Sequence, residues 1–173
     1  MVKILALLII VIICLPNVAL SQGDVYRFGP GDSLDITVYL EDDLSFPSQI
    51  SQQGLIDFPL LGNIKLNGLT QTEAKQHIEG LLRDGYLVAP SVSIRVLSYR
   101  PFFIYGEVRS PGSYTYQPDI TIEQVIALSG GLKDRASSTK WTIQRGLDKR
   151  VFQVMSDTIV QPGDVIKIDK SFF

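Results

Sequence analysis

The stretch Gly29-Pro30-Gly31-Asp32-Ser33-Leu34-Asp35-Ile36-Thr37-Val38 joins a turn directly to a strand. Proline holds φ at about −65° and glycine accepts positive φ, so Pro-Gly favours a tight turn. The aspartate side chain can hydrogen-bond its own local backbone and hold that turn. The residues that follow alternate between apolar and polar, which indicates a half-buried strand.

The same unit occurs again near the other end of the chain. Pro162-Gly163-Asp164 leads into Val165-Ile166-Lys167-Ile168, which alternates in the same way. A further Pro-Gly pair lies between two apolar runs and predicts the turn of a hairpin. We therefore predict β-rich modules in which these turn residues are structural: Pro30, Gly31, Asp32, Pro111, Gly112, Pro162, Gly163 and Asp164.

Bulk composition limits the class of protein. The chain has 173 residues, which allows one or two small domains. Its formal net charge is −2, and 20% of its residues are charged. A charge this weak and mixed gives no reason to expect nucleic acid as a partner or electrostatic adsorption to anionic lipid.

The first 21 residues have the layout of a secretory signal peptide. A basic start at Lys3 precedes an unbroken apolar run, and small residues at Ala19 and Ser21 suit cleavage after Ser21. The apolar run is about 12 residues long, short of the roughly 20 that span a bilayer. Cys14 lies within this run behind Ile12-Ile13, which does not suit lipidation. We expect an exported, periplasmic protein without thiol chemistry after cleavage.

Residues 22–98 are expected to form the first module. Thr70 and Glu73 have the spacing of a capping box, and apolar residues follow at helical spacing up to a stop at Gly85. Short alternating strands lie on both sides of this helix, the last of them after Pro90. The pattern predicts an α+β fold.

Residues 99–173 are expected to form the second module. Strands are predicted at 102–108, 114–116, 141–145 and 151–154, and the second Pro-Gly-Asp unit supplies another. Thr121 and Gln124 form a second capping box, and Gly130-Gly131 ends the helix. This module is also α+β, with several strands around one main helix.

The search for reactive sites gives no catalytic, cofactor-binding or metal-ligating set. Glu41-Asp42-Asp43 is interpreted as a solvated loop, because adjacent side chains on extended backbone point apart. His77 is the one histidine, and nothing in the sequence favours a triad or a zinc site around it. A carboxylate pair for glycoside hydrolysis stays open, with Asp57 and Glu107 as the carboxylates to test.

Aromatic residues are concentrated around the predicted hairpin of the second module. Aromatic side chains favour strands and cores, but their faces can also support sugar rings. Two roles stay open for this set, a core or subunit interface and a glycan contact. The residues are Tyr99, Phe102, Phe103, Tyr105, Tyr114 and Tyr116.

Several spaced motifs, in order, resemble the bacterial polysaccharide export protein family. The first module is similar to its polysaccharide export domain, beginning with Tyr26-Arg27-Phe28-Gly29-Pro30-Gly31-Asp32 and continuing through 54–64, 68–74 and 90–96. The second module is similar to the SLBB (soluble ligand-binding β-grasp) domain. Its matching stretches are 103–114, 121–132, 143–145 and 162–168.

This resemblance implies a non-enzymatic component of capsule or exopolysaccharide export. Its members form homo-oligomeric rings and conduct polysaccharide across the periplasm and outer membrane with an inner-membrane polysaccharide co-polymerase. The sequence ends at Phe173 after one SLBB-like module, so we expect a separate outer-membrane pore protein as a further partner. The alternative is a periplasmic glycan-binding module that does not itself form a conduit.

Overall fold

The computed structural model describes residues 26–146 and 148–171. The predicted signal peptide and Cys14 lie outside the described residues. Within those residues the chain forms ten strands and two α-helices, which confirms the α+β prediction. Two separate hydrophobic cores divide the structure into two modules.

The first module is built on a three-stranded antiparallel sheet. Strand β1 (Ser33–Val38) lies between β2 (Phe46–Gln49) and β5 (Val92–Ser98). The predicted alternation of β1 is confirmed, since Leu34, Ile36 and Val38 are buried. Strand β2 was not predicted. It contains Pro47, which cannot donate to a neighbour and is tolerated because β2 lies at the sheet edge.

A hairpin and a helix complete this module. Strands β3 (Leu55–Phe58) and β4 (Gly62–Lys65) pair with each other, and helix α1 spans Gln71–Arg83. The predicted capping box is confirmed: Thr70 Oγ1 accepts from the Glu73 amide at 3.2 Å, and the Glu73 carboxylate accepts from the Thr70 amide at 2.8 Å. The predicted acidic loop contains a short 3-10 turn, Asp42–Leu44, because Leu44 is drawn into the core.

The second module is a five-stranded mixed sheet with one helix, a β-grasp-like arrangement. The strand order is β7-β6-β10-β8-β9, and β10 is parallel to β6 while the other neighbours are antiparallel. The elements are β6 (Phe102–Gly106), β7 (Gly112–Tyr114), α2 (Ile122–Leu128), β8 (Ala136–Arg145), β9 (Arg150–Val154) and β10 (Val165–Lys170). The predicted Thr121 and Gln124 capping box is confirmed at the start of α2.

Two predicted boundaries in this module are wrong. The sequence predicts strands at 102–108 and 114–116, but β6 ends at Gly106 and β7 starts at Gly112, which pairs with Ile104, so the loop is 107–111. Strand β8 starts at Ala136, not at Trp141, because Ala136 pairs with Lys170 at the end of β10. Both errors arise because a strand's length is set by its neighbour as well as by its own residues.

Gly106 allows β6 and β10, the parallel strands of the second sheet, to approach each other closely, and this predicts the effect of substituting it. It has φ +96°, and a β-carbon there would collide with the carbonyl oxygen of Ile168 on β10. Gly62 also has positive φ, +69°, but open space around it. We expect Gly62→Ala to cost about 1 kcal/mol of unfolding free energy from backbone strain alone, and Gly106→Ala to cost at least about 2 kcal/mol more.

Urea denaturation of both variants measures this difference. Equal losses for the two substitutions would show that the close approach of β10 to Gly106 is not a determinant of stability.

Candidate functional site

The first Pro-Gly-Asp turn places a carboxylate out of contact with water. Asp32 is fully buried. Its Oδ2 accepts from the Gly29 amide at 2.8 Å, so the side chain closes its own turn. A buried carboxylate needs charge and hydrogen-bond donors around it. The further donors come from the start of the described chain and from the link to the second module.

Arg100 and Tyr26 supply those donors. The backbone amide of Arg100 donates to Asp32 Oδ1 at 2.8 Å. The side-chain Nη1 of Arg100 donates to Asp32 Oδ2 at 3.0 Å. The Tyr26 hydroxyl also donates to Oδ2 and accepts from Arg100 Nη1 at 2.8 Å. Arg100 lies between β5 and β6, so this network connects the linker of residues 99–101 to the first module.

The second Pro-Gly-Asp turn uses the same arrangement within its own module. Asp164 is buried, and its Oδ2 accepts from the Gln161 amide at 2.7 Å. Arg145, the last residue of β8, makes a bidentate pair with it: Nε lies 2.9 Å from Oδ1 and Nη2 lies 2.7 Å from Oδ2. Each Pro-Gly-Asp turn therefore carries a buried carboxylate matched by one arginine.

Arg100 also brings the two turns together. A β-carbon added to Gly29 would overlap the Arg100 guanidinium, and one added to Gly163 would overlap the same side chain from the other module. The Gly163 amide donates to the Pro101 carbonyl at 3.2 Å. The Arg100 side chain is thus packed between a glycine of the first turn and a glycine of the second.

We call the region where the two turns and the linker of residues 99–101 meet the junction. Three tyrosines form a continuous row of ring contacts across it. Tyr26 and Tyr99 lie 5.1 Å apart, and Tyr99 and Tyr116 lie 5.2 Å apart, both in edge-to-face geometry. The Arg100 guanidinium carbon lies 5.4 Å from the centre of the Tyr26 ring. The row starts in the first module, passes through the linker and ends in the second.

Burial raises the pKa of two of these phenols. Loss of water contact is the largest cause that raises the pKa of Tyr26, and its hydrogen bond to Asp32 raises it further, while the Arg100 charge acts in the opposite direction. Burial also raises the pKa of Tyr116. Both side chains present a ring and an un-ionised hydroxyl.

Two clefts border the junction. The first, which we call the junction cleft, has a volume of about 680 Å³ and is lined by the tyrosine row and by loops of the second module. The second has a volume of about 530 Å³ and is lined by four arginines. Tyr26, Arg145, Gln161 and Pro162 border both clefts.

The predicted aromatic set does not form one exposed cluster. Tyr99 and Tyr116 line the junction cleft. Phe102 is fully buried in the second core, and the Tyr114 ring stacks on it at 6.0 Å. Phe103 and Tyr105 point to the opposite, exposed face of the sheet, because successive residues of a strand alternate.

The predicted turn residues differ in what they do. Gly31 and Gly163 have positive φ, and Pro30 and Pro162 precede them. Asp32 and Asp164 carry the buried ion pairs described above. Pro111 lies in the β6–β7 loop, whereas Gly112 is a strand residue.

Three residues of the junction were missed by sequence reasoning: Tyr26, Arg100 and Arg145. Sequence reasoning places a module boundary just before residue 99 but gives Arg100 no partner, and it uses Tyr26 only in the resemblance to the export domain. The aspartate itself could have indicated the ion pair, because an acid that is buried between a Pro-Gly turn and a core strand needs a cation beside it. The sequence gives no indication of which arginine supplies it.

The other candidate residues are dispersed. His77 is exposed on α1. Asp57 is exposed on the β3–β4 hairpin, and Glu107 lies in the other module, 3.6 Å from Lys170. Within residues 26–146 and 148–171, no group of histidine, cysteine or acidic residues is placed to hold a metal ion. No helix among these residues has the length and apolar character needed to cross a membrane.

Comparison with known proteins gives two family matches in the same order as the modules. Residues 20–97 match the model of the polysaccharide biosynthesis/export protein family, and residues 101–154 match the SLBB domain. The Asp32 turn falls in the first match, and α2, β8 and β9 fall in the second.

Similar individual proteins have names that refer to polysaccharide production or transport. Exopolysaccharide production protein ExoF of Rhizobium meliloti is 29% identical over 66% of this chain and 30% of its own length. EPS I polysaccharide export outer membrane protein EpsA of Ralstonia nicotianae is 26% identical over 87% of this chain and 49% of its own. Polysialic acid transport protein KpsD of Escherichia coli is 23% identical over 70% of this chain and 22% of its own length. The chain spans about half, or less, of the length of these relatives.

The Asp32–Arg100 pair predicts a large effect of a neutral substitution. Arg100→Met leaves a buried carboxylate without its cation, and we expect a loss of about 3 kcal/mol or more of unfolding free energy. Arg150→Met is the matched control, because Arg150 and Asp148 are 2.6 Å apart but both well exposed. An exposed pair is worth about 0–1 kcal/mol. Similar losses in urea denaturation of the two variants would contradict the assignment.

Tyr26 predicts a dependence on alkaline pH. Its pKa is raised from an ordinary value of 10.0, so above that pH the unfolded chain loses a proton that the folded chain keeps. Tyr26 therefore makes its full contribution to the free energy of unfolding below pH 10, and the free energy of unfolding falls as the pH rises further. Tyr26→Phe removes this phenol while leaving the other tyrosines in place. We expect the wild type to lose its stability advantage over the variant as the pH passes 10.

Urea midpoints of both proteins measured between about pH 8 and 11 test this expectation. A difference between wild type and variant that stays constant with pH would contradict it.

Proposed function

We propose that this chain, whose residues 20–97 match the polysaccharide biosynthesis/export protein family and whose residues 101–154 match the SLBB domain, is a non-enzymatic component of a capsule or exopolysaccharide export complex. It forms or adapts a conduit for polysaccharide in the periplasm and at the outer membrane. The observation that carries this proposal is the pairing of an export-type module and an SLBB module across one buried ion pair.

A conduit needs walls of constant shape, and the contacts at the junction restrict movement between the linker and the two modules. The linker has three residues, and its arginine is fixed by hydrogen bonds and by packing against both turns. Rotation of the second module against the linker would disturb the packing of Gly163 on Arg100 and the contact between Tyr99 and Tyr116. Copies of such a unit can repeat with the same geometry around a ring.

An exposed apolar surface supports assembly into a homo-oligomer. The loops at the end of the first module away from the junction carry large apolar side chains in water. The Tyr39 amide donates to the Ser91 carbonyl, and the Tyr86 hydroxyl donates to the Leu60 carbonyl, so these loops lie together. Contiguous exposed apolar patches mark association sites. We call this surface the distal patch, and its residues are Tyr39, Leu40, Leu60, Tyr86 and Val88.

The partners follow from the same proposal. The complex contains polysaccharide, further copies of this chain in a ring, an inner-membrane polysaccharide co-polymerase and a separate outer-membrane pore protein. The relatives spanning more than this chain include one named as an outer membrane export protein, which supports a periplasmic location next to that membrane. Glycan binding without a conduit is the second candidate, favoured by Phe103 and Tyr105 on the open sheet face.

Oligomeric state and secretion together test the proposal. Leu40→Asp with Val88→Asp places two charges in the distal patch, and we expect the purified variant to sediment as a smaller species than the wild type. Met155→Asp is the control, because Met155 is also well exposed, at 72%, but lies in the second module. In the native host, we expect deletion of the gene to abolish extracellular polysaccharide, and we expect the control variant to restore it while the double variant does not.

A wild-type protein that stays monomeric at high concentration would overturn the ring. Normal secretion by the deletion strain would overturn the export function itself. Release of oligosaccharide by the purified protein, lost in Asp57→Ala or Glu107→Ala, would replace it with an enzyme.

A further inference from the structure

We propose that the junction cleft binds a segment of uncharged oligosaccharide. This inference rests on the export function proposed above and names the chemistry of the polysaccharide that the chain contacts. It concerns residues of both modules, so the site exists only when the junction is formed.

The size and position of the cleft suit a ligand of a few sugar rings. Its volume of about 680 Å³ lies within the roughly 300–1,000 Å³ usual for small-molecule sites, which occur preferentially between domains. Arg100 is held by Asp32 of the first module and packs against Gly163 of the second, so contacts to both modules meet beside the cleft. A preformed cleft loses little conformational entropy on binding.

The tyrosine row gives this cleft apolar surfaces with polar edges. Tyr26, Tyr99 and Tyr116 all line it, and neighbouring rings stand at 82° and 73° to each other. Such an arrangement presents both a ring face and ring edges to the cleft. Sugar rings have C–H-rich faces that pack on aromatic surfaces, and a phenol offers a hydroxyl as well. The Tyr26 hydroxyl is already bonded to Asp32, so its ring is the part available.

The charges that line the cleft select against acidic sugars. Asp119 and Asp157 are exposed lining residues, and no ion pair in the part of the chain that the structure describes engages either one. Arg145 is the lining cation, and its guanidinium is held by Asp164. The cleft therefore has a net negative charge. Carboxylates accept hydrogen bonds from sugar hydroxyls but repel uronate or sialate groups.

The neighbouring arginine-lined cleft is the contrasting surface. Arg27, Arg100, Arg145 and Arg150 border it, together with Asp148. Each of these arginines is paired with an acid: Glu73, Asp32, Asp164 and Asp148 respectively. An acidic glycan would have to compete with those existing pairs, whereas an uncharged one meets no such competition in the junction cleft.

NMR titration of the purified protein with cellohexaose, maltohexaose and hexagalacturonate tests the site. We expect at least one uncharged probe to shift amide signals of Asp119, Asp157 and Thr158 at millimolar concentration, and the acidic probe to shift none of them. Tyr116→Leu should weaken binding about tenfold, equivalent to roughly 1.4 kcal/mol, and Tyr116→Phe should keep it within about twofold. Phe152→Leu, at an exposed position of β9 outside the described lining of the cleft, is the control that leaves affinity unchanged.

A double substitution tests whether the two exposed carboxylates of the cleft exclude acidic sugars. Asp119→Asn with Asp157→Asn keeps the side-chain shapes and removes both charges, and asparagine tolerates the positive φ of residue 119. We expect hexagalacturonate to shift the cleft signals in this variant. Unchanged melting temperatures of the variants show that loss of binding is not loss of fold.

Three results would overturn the inference. They are no binding of either uncharged probe, stronger binding of the acidic probe by the wild type, and signal shifts confined to Phe103 and Tyr105. Failure here is separate from failure of the export function. If deletion abolishes secretion and no uncharged probe binds, export stands and the cleft assignment falls. If the cleft binds a probe and deletion leaves secretion normal, the cleft stands and export falls.

Discussion

A carboxylate removed from water must be met by a cation, and this requirement determines how the two modules are joined. Asp32 and Asp164 are both buried, and both close a turn by accepting from an amide three residues earlier. Their arginines come from different places. Arg145 belongs to the same module as Asp164, so that pair stabilises one sheet. Arg100 belongs to the linker, so the pair with Asp32 makes the position of the second module part of the stability of the first.

The site follows from that constraint. Arg100 fills the space between Gly29 and Gly163, and the tyrosine next to it in sequence is held between Tyr26 and Tyr116. The junction cleft is thus bounded by residues whose positions are fixed by burial and pairing. A surface with this rigidity is suited to repeated contact with a long, flexible polymer, since each contact involves little reordering of the protein.

Local features of the fold were predictable and the junction was not. The turns, both capping boxes and the alternation of β1 depend on residues within a few positions of each other, so the sequence contains them directly. Arg100 and Asp32 are 68 residues apart, and Arg145 and Asp164 are 19 apart. Only the folded chain selects these partners. Alternation also separates Phe102 from Phe103, but which face becomes core depends on where α2 packs.

The place of β10 in its sheet has a consequence for the order of folding. It lies between β6 and β8 and is the neighbour of both, yet it follows every other strand of that sheet in the chain. Until residues 165–170 have been synthesised, β6 and β8 have no common partner, and the second sheet cannot grow strand by strand. The three strands of the first sheet precede it and pair antiparallel. A chain synthesised from its N-terminus can therefore fold its first module, pair Arg100 with Asp32, and hold the beginning of β6 in position before the remaining strands are complete. The ion pair would then lower the entropic cost of the late, long-range closure by fixing one of its two ends in advance.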